Sequence, residues 1–125
     1  MDDPIEMLVQ SARTLLTPPL PTDAVELTEL LTRAQLQVAA ALDEAMARAA
    51  LTGVSLRAIA QGAQLAPNSV PPRLARSATL GSYAEGGKVS AEQLAVARAD
   101  HRERAGQDAG RPARFTFQPR KRSSS

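Results

Sequence analysis

Apolar residues recur along this chain at helical spacing. In residues 4–16, Ile5, Leu8, Val9, Ala12, Leu15 and Leu16 fall on one face of a helix. Pro4 suits its first turn, where a missing N–H loses no bond. The stretch "TPPLP" at 17–21 then halts that helix and stiffens a linker. A second stripe, Leu27, Leu30, Leu31, Ala34, Val38, Ala41, Leu42, Ala45, Met46 and Ala49, predicts a long helix from about Asp23 to Thr52. Thr22 or Asp23 can cap it, Glu26 and Glu29 suit its positive end, and Gly53 is the left-handed terminator. Such a helix is roughly 45 Å long, more than one small domain covers. Either it breaks or bends, or its first half and the 4–16 helix pack against a second copy. The second is the expectation.

Shorter elements follow. A helix from Ser55, its cap, to about Ala63 turns Leu56, Ile59 and Ala60 inward. A turn over 64–68 leads to another helix reaching about Thr79. "GSYAEGGKV" at 81–89 is rich in turn residues and can form a small hairpin or wing. At Ser90, "SAEQ" has the form of a capping box in which Gln93 reaches back. The helix it opens carries Leu94, Val96 and Ala97 and fades by Gly106. From 106 onward the chain is rich in Gly, Pro and Arg and is expected to be disordered when unbound.

Composition sharpens this picture. Of 125 residues, 43% are apolar, but many are alanine, and the aromatics are Tyr83, Phe115 and Phe117. A core of Leu, Val, Ile, Met and Ala suits closely packed helices better than a sheet. The absence of cysteine excludes disulfides and cysteine-ligated zinc, and fits a reducing cytosol. No apolar run approaches the roughly 18 residues a membrane span requires, and "MDDPIEM" is too acidic for a signal peptide. The net charge of +2 divides unevenly: residues 1–50 carry three basic and eight acidic groups (−5), residues 51–125 twelve and five (+7). The first half avoids polyanions and the second attracts them.

The basic half holds "GVSLRAIAQGAQLAPNSVPPRLARS" at 53–77. Its "SLRAIAQGAQLAPNSV" resembles the helix-turn-helix of bacterial DNA-binding proteins, especially the actinobacterial type G-V-S-L-R-x-I-A…N-S/T-V. The Ala- and Arg-rich composition fits a high-GC organism. The resemblance covers about 25 residues and identifies no individual regulator. It implies that Ile59 is buried, that the small Ala60 sits where the helices cross, that Leu65 plugs the turn, and that Val70 and Leu74 anchor the second helix. Where the family carries glycine before the plug, this chain has Gln64, with Gly62 two residues earlier, which predicts a turn one residue longer or wound differently.

Pro71 and Pro72 fit a helix only at its start, because the first-turn N–H groups have no i−4 acceptor. If Asn68 caps, Ser69 to Pro72 fill the first four positions. Alternatively the helix begins near Pro71 or Pro72, with Ser69 or Val70 as cap, because proline turns its predecessor away from the α region. Prolines offer no donor, so polar readout in the major groove is expected from Asn68, Ser69, Arg73 and Arg76. Ser55 and Arg57 are better placed for phosphates.

The end of the chain, "RPARFTFQPRKRSSS", offers Arg120, Lys121 and Arg122, with Arg111 and Arg114, as a basic arm along phosphates or in the minor groove. Its "FTF" alternates like a strand. His101 in "RADHRER" is alone among charges, so no metal site is expected. "AEGGKVS" lacks the spacing of a phosphate loop, and no catalytic signature appears, so neither enzyme nor cofactor is expected. The carboxylates of the first half are expected on an exposed helix face.

The expected whole is all-α. Residues 1–50 form a helical dimerisation segment, 51–80 a helix-turn-helix, 81–105 a turn-rich segment and a further helix, and 106–125 a disordered basic tail. The implied function is sequence-specific binding of double-stranded DNA by a homodimer. That suits a small cytoplasmic, nucleoid-associated transcriptional regulator, in particular a repressor on a plasmid or other mobile element, with no membrane or small-molecule substrate. A partition or replication protein is the alternative within the class. A helical adaptor that binds a protein is the alternative outside it.

Overall fold

The computed structural model describes residues 3–110. It is all-helical: α1 Pro4–Leu15, α2 Ala24–Leu51, α3 Leu56–Ala63, α4 Val70–Arg76 and α5 Ala91–Gly110. Short 3₁₀ turns, Pro67–Ser69 and Gly81–Tyr83, lie on either side of α4. Among the described residues no helix is long and apolar enough to cross a membrane.

Side-chain caps set the helix starts. Asp3 accepts the Ile5 N–H at 2.9 Å and opens α1. Asp23, rather than Thr22, caps α2 by accepting from Glu26 N–H at 3.0 Å. Ser55 does the same for α3 from Ala58 N–H at 3.1 Å. Gly53, at φ 104°, turns the chain out of α2 in a conformation that strains any other residue. The Gln93 side chain accepts the Ser90 N–H at 3.0 Å, the reach-back of a capping box. That fourth start was legible, but α5 continues to Gly110, past the expected end at Gly106.

Helix α2 is unbroken over 28 residues. Helix α1 lies along it in the opposite direction, with Asp3 paired to Arg48 at one end and Leu16 beside Leu31 and Ala34 at the other. The end of α2 meets a body made from the rest of the chain. There Met46, Ala47 and Ala50 pack with Ile59, Ala60, Val70, Leu74, Leu80, Val89, Leu94 and Ala97. Arg98 fastens α5 to this junction, donating to the Ala50 carbonyl at 2.7 Å and the Val54 carbonyl at 2.9 Å. These carbonyls lie at and beyond the negative end of α2, where a cation is favoured.

Along the long apolar stripe Leu31, Val38 and Ala45 are exposed in the single chain, while Ala34 and Ala41 between them are buried. Two expectations about side-chain faces change. Val96 is exposed, while Leu94 and Ala97 are buried. Asp43 and Glu44, expected on a solvated face, are only 5% and 7% exposed. Burial of a carboxylate is costly unless it is hydrogen-bonded, and both acids bond to the α4 region.

Candidate nucleic-acid interface

Helices α3 and α4 are joined by a turn whose pivot is Gln64, at φ 58° and ψ 43°. Its N–H returns to the Ala60 and Gln61 carbonyls, and the Leu65 N–H bonds to the Ala60 carbonyl at 2.9 Å. This is the left-handed helix stop that glycine normally supplies. Gln64 takes a left-handed conformation that costs a side-chain-bearing residue more than glycine. Ile59, Ala60, Val70 and Leu74 are buried, and Leu65 is half-buried against them.

The prolines lie in the first turn of α4. Val70 is already helical, at φ −73° and ψ −47°, although Pro71 follows it. The chain reaches that state through the 3₁₀ turn at Pro67–Ser69, in which the Val70 N–H bonds to the Pro67 carbonyl. Ser69 stands at the N-cap position, but neither it nor Asn68 makes a side-chain cap bond. Pro71 and Pro72 therefore remove no bond that the first turn requires. The Pro71 carbonyl accepts the Val89 N–H at 2.9 Å, tying α4 to the segment after it. Helix α4 ends at Arg76, before the expected Thr79. Ser77 closes it, its hydroxyl donating to the Leu74 carbonyl at 2.7 Å and accepting from Leu80 N–H at 3.0 Å.

Helical spacing sorts the side chains of α4. Val70, Arg73, Leu74 and Ser77 share one face, at i, i+3, i+4 and i+7. Arg73, expected to read bases, turns inward with that face. Its Nε donates to Asp43 at 2.7 Å, its Nη2 reaches the Ala39 carbonyl at 3.5 Å, and its side chain is 20% exposed. The buried Asp43 carboxylate explains this orientation, since it would otherwise lack a counter-charge. Glu44 continues the attachment, accepting from the Ala78 N–H and, at 2.9 Å, from the Thr79 hydroxyl.

The opposite face of α4 carries Pro72 and Arg76, four residues apart, and Asn68 precedes them in the 3₁₀ turn. Asn68 and Arg76 are exposed, Pro72 is half-exposed, and Ser69 is half-buried on the flank. Arg57, in the first turn of α3, is exposed too, and so is Ser55, whose oxygen is already used as a cap. Among the described residues, neither Arg57 nor Arg76 makes a side-chain hydrogen bond or ion pair. Arg120, Lys121 and Arg122, with Arg111 and Arg114, lie outside the described residues.

Lys88, not singled out from sequence, is exposed next to a residue that is bonded to α4. Glu85 and Lys88 exchange backbone bonds of 2.9 and 3.2 Å around Gly86 and Gly87, both with positive φ. That tight turn fits the right-handed twist of a hairpin and suits glycine at both central positions. The turn puts Lys88 in solvent while Val89, next to it, is fully buried and held to Pro71. Behind it, Tyr83 donates to Asp100 at 2.8 Å, and the carboxylate raises the tyrosine pKa above its ordinary value. Arg104 donates to the same hydroxyl at 3.2 Å. The chain matches no known protein family, no curated protein and no solved structure.

Proposed function

We propose that α3, the Gln64 turn and α4 form a helix-turn-helix that binds double-stranded DNA sequence-specifically, and that the protein is a small transcriptional regulator, in particular a repressor, acting as a homodimer. One observation supports this above the others. The two helices are fixed by buried apolar contacts, while Asn68, Arg76 and Arg57 are exposed and their side chains make no hydrogen bond or ion pair among the described residues. Asn68 and Arg76 are suited to base edges, adenine and guanine respectively. Arg57, Ser55 and Lys88 are suited to phosphates, which set position rather than sequence. Ser69 is a lesser contact, and Arg73 acts indirectly by holding α4 at its angle to α2. Arg120, Lys121 and Arg122 would add salt-dependent affinity.

The test is selection of bound fragments from the host genome, followed by titration of the selected site. A two-fold symmetric site with half-sites about 34–36 Å apart, or a multiple of that, is the expected result for paired motifs. Fragments clustered at promoters support regulation, and clusters at repeats support the partition or replication role. Recovery of no preferred fragment contradicts the proposal and favours a protein-binding adaptor.

A further inference from the structure

Apolar exposure is unevenly spread over this protein. Among the described residues, Met7, Val9, Leu16, Leu20, Val25, Leu31, Leu36, Val38, Val54 and Val96 are the large hydrophobics left in solvent. Eight of these ten precede residue 39, on α1, α2 and their linker, so the exposure is a property of one region. Single exposed apolar residues need no explanation, but a contiguous set marks a contact surface.

Part of that set lines a groove along α2, bounded by Leu16, Leu31, Ala34, Val38 and Leu42, with Arg73 at its end. Its α2 residues include Leu31, Gln35, Val38 and Leu42, spaced four, three and four apart. This is the spacing of a helix–helix seam. The seam extends outward to Ala24, Thr28 and Ala45, all exposed. From Ala34 to Leu42 the chain has no charged residue. The one charge at the groove, Arg73, is already matched by Asp43.

We propose that this seam is the surface through which two copies of the chain pair, with the two-fold axis near Gln35. An isologous contact brings a surface against itself, so any net charge on it would face its like. An uncharged strip avoids that repulsion. Gln35 fits the axis because its amide both donates and accepts, allowing two copies of the same side chain to bond to each other. A polar residue in an apolar seam also fixes register, at some cost in stability. Size is sufficient: the seam from Ala24 to Ala45 and the 12 residues of α1 offer a face of about 500 Å² at 1.5 Å rise and ~10 Å width. Two such faces bury about 1,000 Å², the area a specific interface must reach. The exposed Leu36 is on the far side of α2, where it lines a separate hollow with Ser11, Leu15 and Arg33, and is left out of the contact.

This inference makes the homodimer of the DNA-binding reading specific, but its test contains no DNA, so either can fail alone. Sedimentation equilibrium of the full chain is expected to show a dimer at tens of micromolar. Val38→Asp is expected to weaken pairing at least tenfold, because it would bury an unpaired charge. Far-UV circular dichroism should stay unchanged, because Val38 is 51% exposed in the single chain. Leu36→Asp should leave pairing intact. Because the chain has no cysteine, Gln35→Cys gives one defined oxidative cross-link, expected to form a covalent dimer in high yield. A monomeric parent, a Val38→Asp variant that still pairs, loss of pairing in Leu36→Asp, or no cross-link at position 35 would each overturn the proposal.

Discussion

The α1–α2 hairpin and the body that follows it solve the burial problem differently. In the body, Val70, Leu74, Leu80, Val89 and Leu94 are essentially withdrawn from solvent. Along α1 and the first two-thirds of α2, the fully buried positions are alanines, Ala12, Ala34 and Ala41, while larger side chains stay partly wet. Small residues let the two helices approach closely but bury little area each, at about 25 cal/mol per Å². The body therefore carries most of its own stability. The hairpin is held by the close approach of its two helices and by the Asp43–Arg73 tie to the body.

The contrast breaks most easily at the centre of the body. Leu74→Ala removes a fully buried side chain from the junction of α2, α3 and α4 and is expected to cost about 2–5 kcal/mol, read by urea unfolding. Truncating the exposed Val38 should change the stability of the single chain far less. The tie between the regions comes next. Asp43→Ala strands the Arg73 guanidinium, and breaking a fully buried pair costs about 3–5 kcal/mol. With Arg73 still 20% exposed, the expected loss is about 2 kcal/mol, discounted for solvent screening. Replacing both partners with apolar residues should recover much of it, and the same urea titration reports both variants.

The α3–α4 turn gives a smaller effect, of opposite sign. Gln64→Gly relieves a left-handed conformation and should stabilise by about 0.5–1 kcal/mol, net of the extra freedom glycine gains when unfolded. Gly62 lies inside α3, and an added methyl there meets nothing within 4 Å. Gly62→Ala is therefore expected to add about 1 kcal/mol. Thermal melting checks both. A loss of stability in Gln64→Gly would show that the side chain contributes more than its backbone costs.

The smallest effect is at the open end of the hairpin. The Arg48 guanidinium, and then the Ile5 N–H, hold the Asp3 carboxyl below its ordinary pKa. A carboxyl depressed in the folded state contributes stability above its unfolded pKa and loses it as pH falls through the folded value. Protection of the Ile5 amide against exchange, relative to its intrinsic rate, should therefore fall in acid, below the ordinary aspartate range, and Asp3→Asn should remove that loss of protection.

Much of the fold was legible because its signals are local. Proline at 4, aspartate at 23, serine at 55 and glycine at 53 each act on backbone within a few residues, and those boundaries fall within a residue or two of where they were expected. What was missed depends on contacts far apart in sequence. Asp43 and Glu44 read as surface acids until α4 is placed against them, 30 and more residues later. Arg73 carried a local warning, since it shares the face of Val70 and Leu74, but its partner was hidden. Lys88 became visible only when the turn at Gly86–Gly87 separated it from the buried Val89. The start of α4 was only bracketed beforehand, because local preference argued against a helical Val70 before proline. Burial of Val70 in the core outweighs that preference.

The central claim is that the outward face of α4 reads DNA while its inward face, Arg73 included, only holds it in place. The most direct measurement is the affinity of the parent protein and of Arg76→Ala for a fragment selected from the genome, each over a range of salt. Loss of one arginine–base contact should weaken binding by about 1–3 kcal/mol and relax sequence preference at one position per half-site. An Arg76→Ala protein that binds the selected fragment as tightly and as selectively as the parent would contradict the claim.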